Sequence, residues 1–198
     1  MNIILATRNP SKAEQIRKMF ENSNIRIISL DEANISGEAV EDSRTLQDNA
    51  LKKARYACEH ATSPMWTMAD DSGIFIKALN GEPGVESANW APKELTTDQA
   101  AEWLVERLKG IADRSAYFQT VVVIISPEGK EYFFTGTVEG SLLETVRVAP
   151  QAKMPYSALF VPDGESKVFA EMTTEYENKI SHRGKAFRQA REFLEKVA

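Results

Sequence analysis

The stretch "MADDSGIFIKALNGEPG", Met68 to Gly84, decides how this chain is read. An apolar run leads into two adjacent aspartates, Asp70 and Asp71. A Ser-Gly pair follows, and a second apolar run begins at Ile74. "MWTMA" and "IFIKAL" predict two strands, with Asp-Asp-Ser-Gly as the turn at the exit of the first. Two like charges at one spot cost free energy unless something positive lies between them. A metal ion, a basic side chain or solvent can meet that need. Carboxylates at a strand end suit a hard cation such as magnesium. An Asx-type turn, with Asp71 or Ser72 bonding its own backbone, is the purely structural reading.

Working outward, "NIILA" (Asn2 to Ala6) reads as a short buried strand. Asn9 is a good N-cap and Pro10 suits the first helical position, so a helix is expected to about Asn22, with Ala13, Ile16 and Phe20 on one face. "IRIISL" (Ile25 to Leu30) is the next strand, and "ANISGEAVEDSRT" is polar and turn-rich, hence a loop. From Thr45 to about Ala61 the pattern is helical. Thr96 and Gln99 form a capping box for a helix that ends at Gly110. "AYFQTVVVIIS" and "EYFFTGTVEGSLL", joined by "PEGK", predict a hairpin. "SALFVP" and "KVFAEM" read as short strands, and Ser181 to Val197 as a helix with Phe187, Ala190, Leu194 and Val197 inward. Helices between the early strands and a hairpin in the middle predict an α/β fold with a mixed sheet, in one domain spanning residues 1–198.

Composition narrows the function. The net charge is -5, so no overall basic field draws the chain to nucleic acid or a membrane surface. A polyanionic ligand must be held by a local cluster of Lys and Arg. Cys58 is the one cysteine, which excludes an internal disulfide and a cysteine metal cage. No stretch approaches the ~20 apolar residues of a membrane helix. A soluble, cytoplasmic protein is expected.

Two further segments break local rules. Strand, "TRNPSK", helix is a phosphate-binding arrangement, because a helix N-terminus offers unpaired N–H groups and partial positive charge. Lys12 in that first turn is misplaced on dipole grounds, and an anionic ligand would repair the mismatch. "ISHRGKA" (Ile180 to Ala186) places His182, Arg183 and Lys185 at another helix start, where a bound anion or an electron-rich base edge would explain them. A solvated basic turn would also explain them. Such conflicts between local rules tend to mark functional sites.

Together "ATRNPSK", "DNALKKA", "ADDSGIFIKALNGEPGVESANWA", "PDGESKVFAEM" and "ISHRGKA", in this order and spacing, resemble the inosine triphosphate pyrophosphatase family. The resemblance runs from Leu5 to the last helix. It implies an elongated mixed central sheet with flanking helices and two lobes around a deep cleft, usually in a homodimer. It also implies magnesium-dependent cleavage of a nucleoside triphosphate, such as that of inosine, deoxyinosine or xanthosine, to the monophosphate and pyrophosphate. By position, Thr7, Arg8, Asn9 and Lys12 fall in the family's phosphate-binding start, and Lys53 matches a lysine that reaches the phosphates. Glu41 matches a metal-binding glutamate, in a loop that departs from the usual Glu-Glu-Thr-Gly. Asp71 matches a metal ligand and proton acceptor, with Asp70 beside it. Ser72 matches a substrate contact, and His182 and Arg183 the pair that reads the base.

The base pocket departs from the family pattern. In "MPYSALF", Tyr156 keeps an aromatic suited to stacking, but Met154 stands for Phe, Ser157 for Asp and Ala158 for Pro. Glu177 replaces a substrate-contacting lysine four residues before Ser181. An ionised glutamate can only accept, so a 6-keto group would be repelled and an exocyclic amine favoured. Two other functions compete: a Maf-type pyrophosphatase, whose Ser-Pro-Arg-Arg-type start is absent here, and a nucleotide-binding module without turnover.

Overall fold

The computed structural model describes residues 1–197. In chain order its elements are β1 (Asn2–Leu5), α1 (Pro10–Phe20), β2 (Arg26–Ser29), α2 (Leu46–His60), β3 (Trp66–Ile76), β4 (Pro83–Gly84), α3 (Thr97–Arg107), β5 (Ser115–Ile125), β6 (Glu131–Leu142), β7 (Phe160–Pro162), α4 (Thr174–Ile180) and α5 (His182–Val197). The strands form one mixed sheet in the order β2-β1-β3-β5-β6-β7, with β4 pairing β3 off that path. β1 runs parallel to β2 and β3, whereas β4 and β7 are antiparallel to β3 and β6. The predicted α/β class with a mixed sheet holds.

Local chemistry sets the helix starts. Asn9 Oδ1 accepts from the Lys12 N–H at 3.2 Å, and Pro10 opens α1. Thr45 caps α2 through the Asp48 N–H, and the Thr96–Gln99 capping box of α3 is complete.

The expected turn at Asp-Asp-Ser-Gly does not form: β3 runs unbroken from Trp66 to Ile76. Gly73 answers to space and not to a bend. A Cβ there would lie 2.2 Å from the Gly84 carbonyl oxygen, so only glycine lets β4 approach. "IFIKAL" leaves the strand at Ile76 and closes as a 3-10 turn over Lys77–Leu79. "KVFAEM" is not a strand; it holds a 3-10 turn over Phe169–Glu171. "SALFVP" yields the short β7 after another 3-10 turn, Pro155–Ala158. The final helix is preceded by the unexpected α4. The Ser181 N–H closes α4 on the Glu177 carbonyl at 2.8 Å, and α5 begins at the next residue. Val197 is 45% exposed, not inward, because the apolar stripe outruns the surface it packs on.

The chain divides into two compact units: Met1–Ser72 with Thr120–Gly136 and the stretch from His182 onward, and Gly73–Gln119 with Thr137–Ser181. The first has a core of Ile3, Leu5, Ile16, Phe20, Met68, Val122, Ile124, Phe187 and Leu194, so α1 and α5 share one face of the sheet. The second is built on Ile74, Ile76, Leu104, Leu108, Leu142, Phe160 and Phe169.

Candidate active site

β1 pairs with β3 only up to Met68, which also receives the Ala6 N–H at 2.7 Å. Asp70 and Asp71 therefore lie just past the carboxyl end of β1. Crevices at such strand ends are where ligands bind in open α/β sheets.

Successive side chains on a strand take opposite faces. Met68 packs into the core with α1 and α5, and Thr67 hydrogen-bonds the Ala54 carbonyl of α2. The alternation continues through the aspartates. Asp70 Oδ2 lies 3.2 Å from Lys12 Nζ of α1 and 3.9 Å from Arg183 Nε of α5. Asp71 Oδ1 accepts from Lys53 Nζ of α2 at 3.1 Å, and its Oδ2 from Asn49 Nδ2 at 3.2 Å. The like-charge question thus has a simple answer: the two carboxylates face apart, and each contacts a different cation, Lys12 for Asp70 and Lys53 for Asp71.

Asp70 is 1% exposed. Burial alone would raise its carboxyl, but Lys12, Arg183 and Lys53 outweigh burial and hold it below the usual range. The anion that the misplaced cations of α1 and α5 call for is, in part, this carboxylate. Burial lowers the Lys12 ammonium against the pull of Asp70. Asp71 behaves in the opposite way: burial pushes it above the usual carboxylate range, and Lys53 and Lys12 only partly oppose this. Lys53 is pulled down by burial, yet Asp71, Asp70 and Glu41 more than offset that and hold it above its ordinary value. Burial, helped by Arg183, drops the His182 imidazole well below its ordinary value, leaving a neutral ring.

Glu41 joins the cluster from the loop before α2. Its Oε2 lies 2.6 Å from the same Lys53 Nζ that touches Asp71, so the two carboxylates converge on one ammonium. Among the described residues, no three or more Asp, Glu, His or Cys side chains form a set that could enclose a metal by themselves. The donors suit a hard cation that keeps water and substrate oxygens in its shell. Glu41 and Asp71 are oxygen donors, and Lys53 already places positive charge between them.

The remaining expected residues divide into three kinds of placement. Thr7 Oγ1 accepts from the Asn9 N–H, and Asn9 caps α1, so both shape the turn before the helix. Arg8 turns toward the Glu41 loop, donating to the Ile35 and Gly37 carbonyls and pairing with Asp31. Ser72 Oγ sits 2.7 Å from Thr120 Oγ1 and donates to Asp70 Oδ2 at 3.3 Å. Two residues were not foreseen. Gln15, three positions after Lys12, accepts from Arg183 Nη1 at 2.7 Å. Asn49 holds Asp71. Both are polar residues on otherwise buried helix stripes, and that was the available signal.

In the second unit, Tyr156 is buried against Phe118 with its hydroxyl on the Ser87 carbonyl. Ser157 Oγ donates to the Met154 carbonyl and accepts from the Gln151 N–H. Glu177 is 5% exposed, so it does not point into solvent, and it accepts from Gln151 Nε2 at 2.9 Å.

The Ham1 family profile matches residues 3–193. A Porphyromonas gingivalis protein named dITP/XTP pyrophosphatase is 37% identical over 193 residues, covering 97% of this chain and 96% of its own. One of the same name from Caldanaerobacter subterraneus is 34% identical over 196 residues, covering 98% and 96%. The solved structure of a HAM1 protein from Coxiella burnetii superposes with a TM-score of 0.86 at 29% identity, over 99% of each chain.

Proposed function

Because the chain belongs to the Ham1 family, we propose that it is a magnesium-dependent nucleoside triphosphate pyrophosphohydrolase acting on purine triphosphates of the ITP, dITP and XTP type. The products are the nucleoside monophosphate and pyrophosphate. The observation that carries the reading is the meeting of Glu41 and Asp71, 30 residues apart in sequence, on the single ammonium of Lys53.

Magnesium held by Glu41 and Asp71 supplies, when bound, a Lewis acid that polarises a phosphate oxygen and acidifies water. The chain's own groups do the rest. Asp71, with its carboxyl raised by burial, is matched to taking a proton from the attacking water. Lys12 and Lys53 stabilise the negative charge of the departing pyrophosphate, aided by the partial positive charge at the start of α1. Thr7 and Asn9 hold that turn in shape. Asp70 keeps Lys12 and Arg183 in place, and the neutral His182 can both donate to and accept from a base edge. Ser72 adds a hydroxyl at the same strand.

Pyrophosphate release from ITP with and without magnesium tests the reading. Turnover that disappears on chelation and returns with magnesium is the expected result. Tight nucleotide binding without pyrophosphate would establish a binding module instead.

We further propose that base preference is altered or relaxed relative to typical inosine-triphosphate enzymes. Glu177 is buried and, while ionised, acceptor-only, where the family resemblance implies a lysine. An acceptor of this kind favours bases that carry an exocyclic amine. A panel of inosine, xanthosine, adenosine, guanosine and pyrimidine triphosphates decides this. Exclusive use of inosine and xanthosine triphosphates refutes it, and preference for pyrimidine or modified nucleotides would favour a Maf-type activity. Homodimer formation, as the resemblance implies, is checked by light scattering. No helix among the described residues is long and apolar enough to cross a membrane.

A further inference from the structure

Asn49, in the first turns of α2, is buried and uses both ends of its carboxamide. Oδ1 accepts from the Ser43 N–H at 2.9 Å, and Nδ2 donates to Asp71 Oδ2 at 3.2 Å. The amide orientation is fixed by chemistry: a backbone N–H can only donate, so the side-chain oxygen must face Ser43 and the NH₂ must face Asp71. Ser43 lies two residues after Glu41. One side chain therefore grips Asp71 and the loop that carries Glu41.

That loop has few other attachments. Upstream, the Tyr56 hydroxyl donates to the Ser36 carbonyl, and Arg8 donates to Ile35 and Gly37. Between these anchors and Ser43, Glu41 and Asp42 reach Lys53 and Lys52 of α2, while Val40 is exposed. Exposed loops are the mobile part of a fold unless tied down. Asn49 is the buried, hydrogen-bonded tie at the end nearer Glu41.

We infer that Asn49 is a positioning residue that holds the Glu41 loop and the Asp71 carboxylate in one fixed relation, so that their oxygens converge on a divalent cation. The inference rests on the metal assignment proposed above. Partners that orient metal-binding side chains typically change metal affinity about 10–100-fold when removed.

The test uses the full chain as wild type, Asn49→Ala and Ser43→Pro. Proline has no N–H, so Ser43→Pro cuts the same tie while leaving Asn49, Asp71 and Glu41 intact. Each protein is titrated with Mn²⁺ alone, followed by the free-ion electron paramagnetic resonance signal. Hydrogen exchange of residues 38–42 is measured without metal, and the thermal midpoint is recorded. The expected result is about tenfold or greater weakening of Mn²⁺ binding in both variants, with faster exchange in the loop. Wild-type Mn²⁺ affinity and loop exchange in a folded variant overturn the inference, even if the thermal midpoint falls, since a scaffold-only role would lower that midpoint alone. Should Asn49→Ala not fold, Ser43→Pro decides by the same criteria. Failure of the wild type itself to bind Mn²⁺ overturns the metal assignment, and the inference with it, before any variant is considered.

Discussion

Asp70 and Asp71 are the same residue one peptide bond apart, yet the two faces of β3 make them different chemical objects. On the α1 and α5 face, Asp70 is nearly sealed and held ionised by Lys12 and Arg183. On the α2 face, Asp71 keeps 8% exposure, meets Lys53 and Asn49, and has its carboxyl pushed up. The difference teaches that strand alternation can give two consecutive residues opposite electrostatic settings, and the proposed duties of the two aspartates rest on that contrast. Asp70 neutralises cations that two helix starts cannot neutralise themselves, and Asp71 is left able to exchange a proton.

The sharpest way to break this comparison is Asp71→Asn. We expect turnover to fall about 10²–10⁴-fold, the usual cost of losing a general base, while the fold survives because the amide still accepts from Lys53. Pyrophosphate release beside a thermal melt reads both. Activity near wild type would return Asp71 to a structural role. Asp70→Asn should divide the other way, destabilising the protein by about 3–5 kcal/mol because buried cations lose their counter-charge. Lys12 can shed its proton to limit that loss, but Arg183 cannot. Chemical denaturation measures it, and an unchanged midpoint would mean that Asp70 does not anchor Lys12 and Arg183.

The same comparison has opposite signs in pH. Asp70 has a folded-state carboxyl below its unfolded value of about 3.9, so its stabilisation is complete above that value and is lost as pH falls through the folded one. Asp71 has a folded-state carboxyl above the unfolded value. The folded chain then binds more protons in that window, and stability declines as pH rises through it, leaving a constant penalty above. Thermal midpoints from about pH 3 to 8 should therefore show a weaker acid limb in Asp70→Asn and, in Asp71→Asn, loss of the decline with rising pH that Asp71 imposes. Parallel curves for the two variants would refute the assignment of opposite environments.

What was legible in the sequence follows the range of the interactions. Asn9, Pro10 and the Thr96–Gln99 box announced their helices because capping is settled within four residues. The unbroken β3 was hidden. Ser72-Gly73 looks like a turn locally, and the reason for Gly73 is a carbonyl eleven residues away on β4. α4 was missed because seven residues carry too short a stripe to show a period. In the site, Lys12, Asp70, Asp71 and Arg183 stand out by violating dipole or like-charge rules, whereas Glu41 reads locally as one of two loop carboxylates, with Asp42, and Lys53 rests on family resemblance alone. Gln15 and Asn49 went unnoticed because a polar residue in a helix reads as a solvated face. What betrays them is position: Asn49 sits beside Ala50, on the buried side with Ala54 and Ala57.

The smallest effect sharpens the comparison most finely. Ser72 shares the Asp70 side of β3, where its hydroxyl bridges Thr120 and Asp70 Oδ2. Ser72→Ala removes one half-buried donor and leaves Thr120 Oγ1 without that partner. A loss of about 1 kcal/mol in stability is expected, the usual net worth of such a bond. If the Asp70 side supports and the Asp71 side reacts, kcat should stay within a factor of about three, since less than 1 kcal/mol reaches the barrier. A large fall in kcat with stability unchanged would add Ser72 itself to Lys12 among the groups that act on substrate from the Asp70 side, and the division of labour between neighbouring aspartates would fail at the residue beside them.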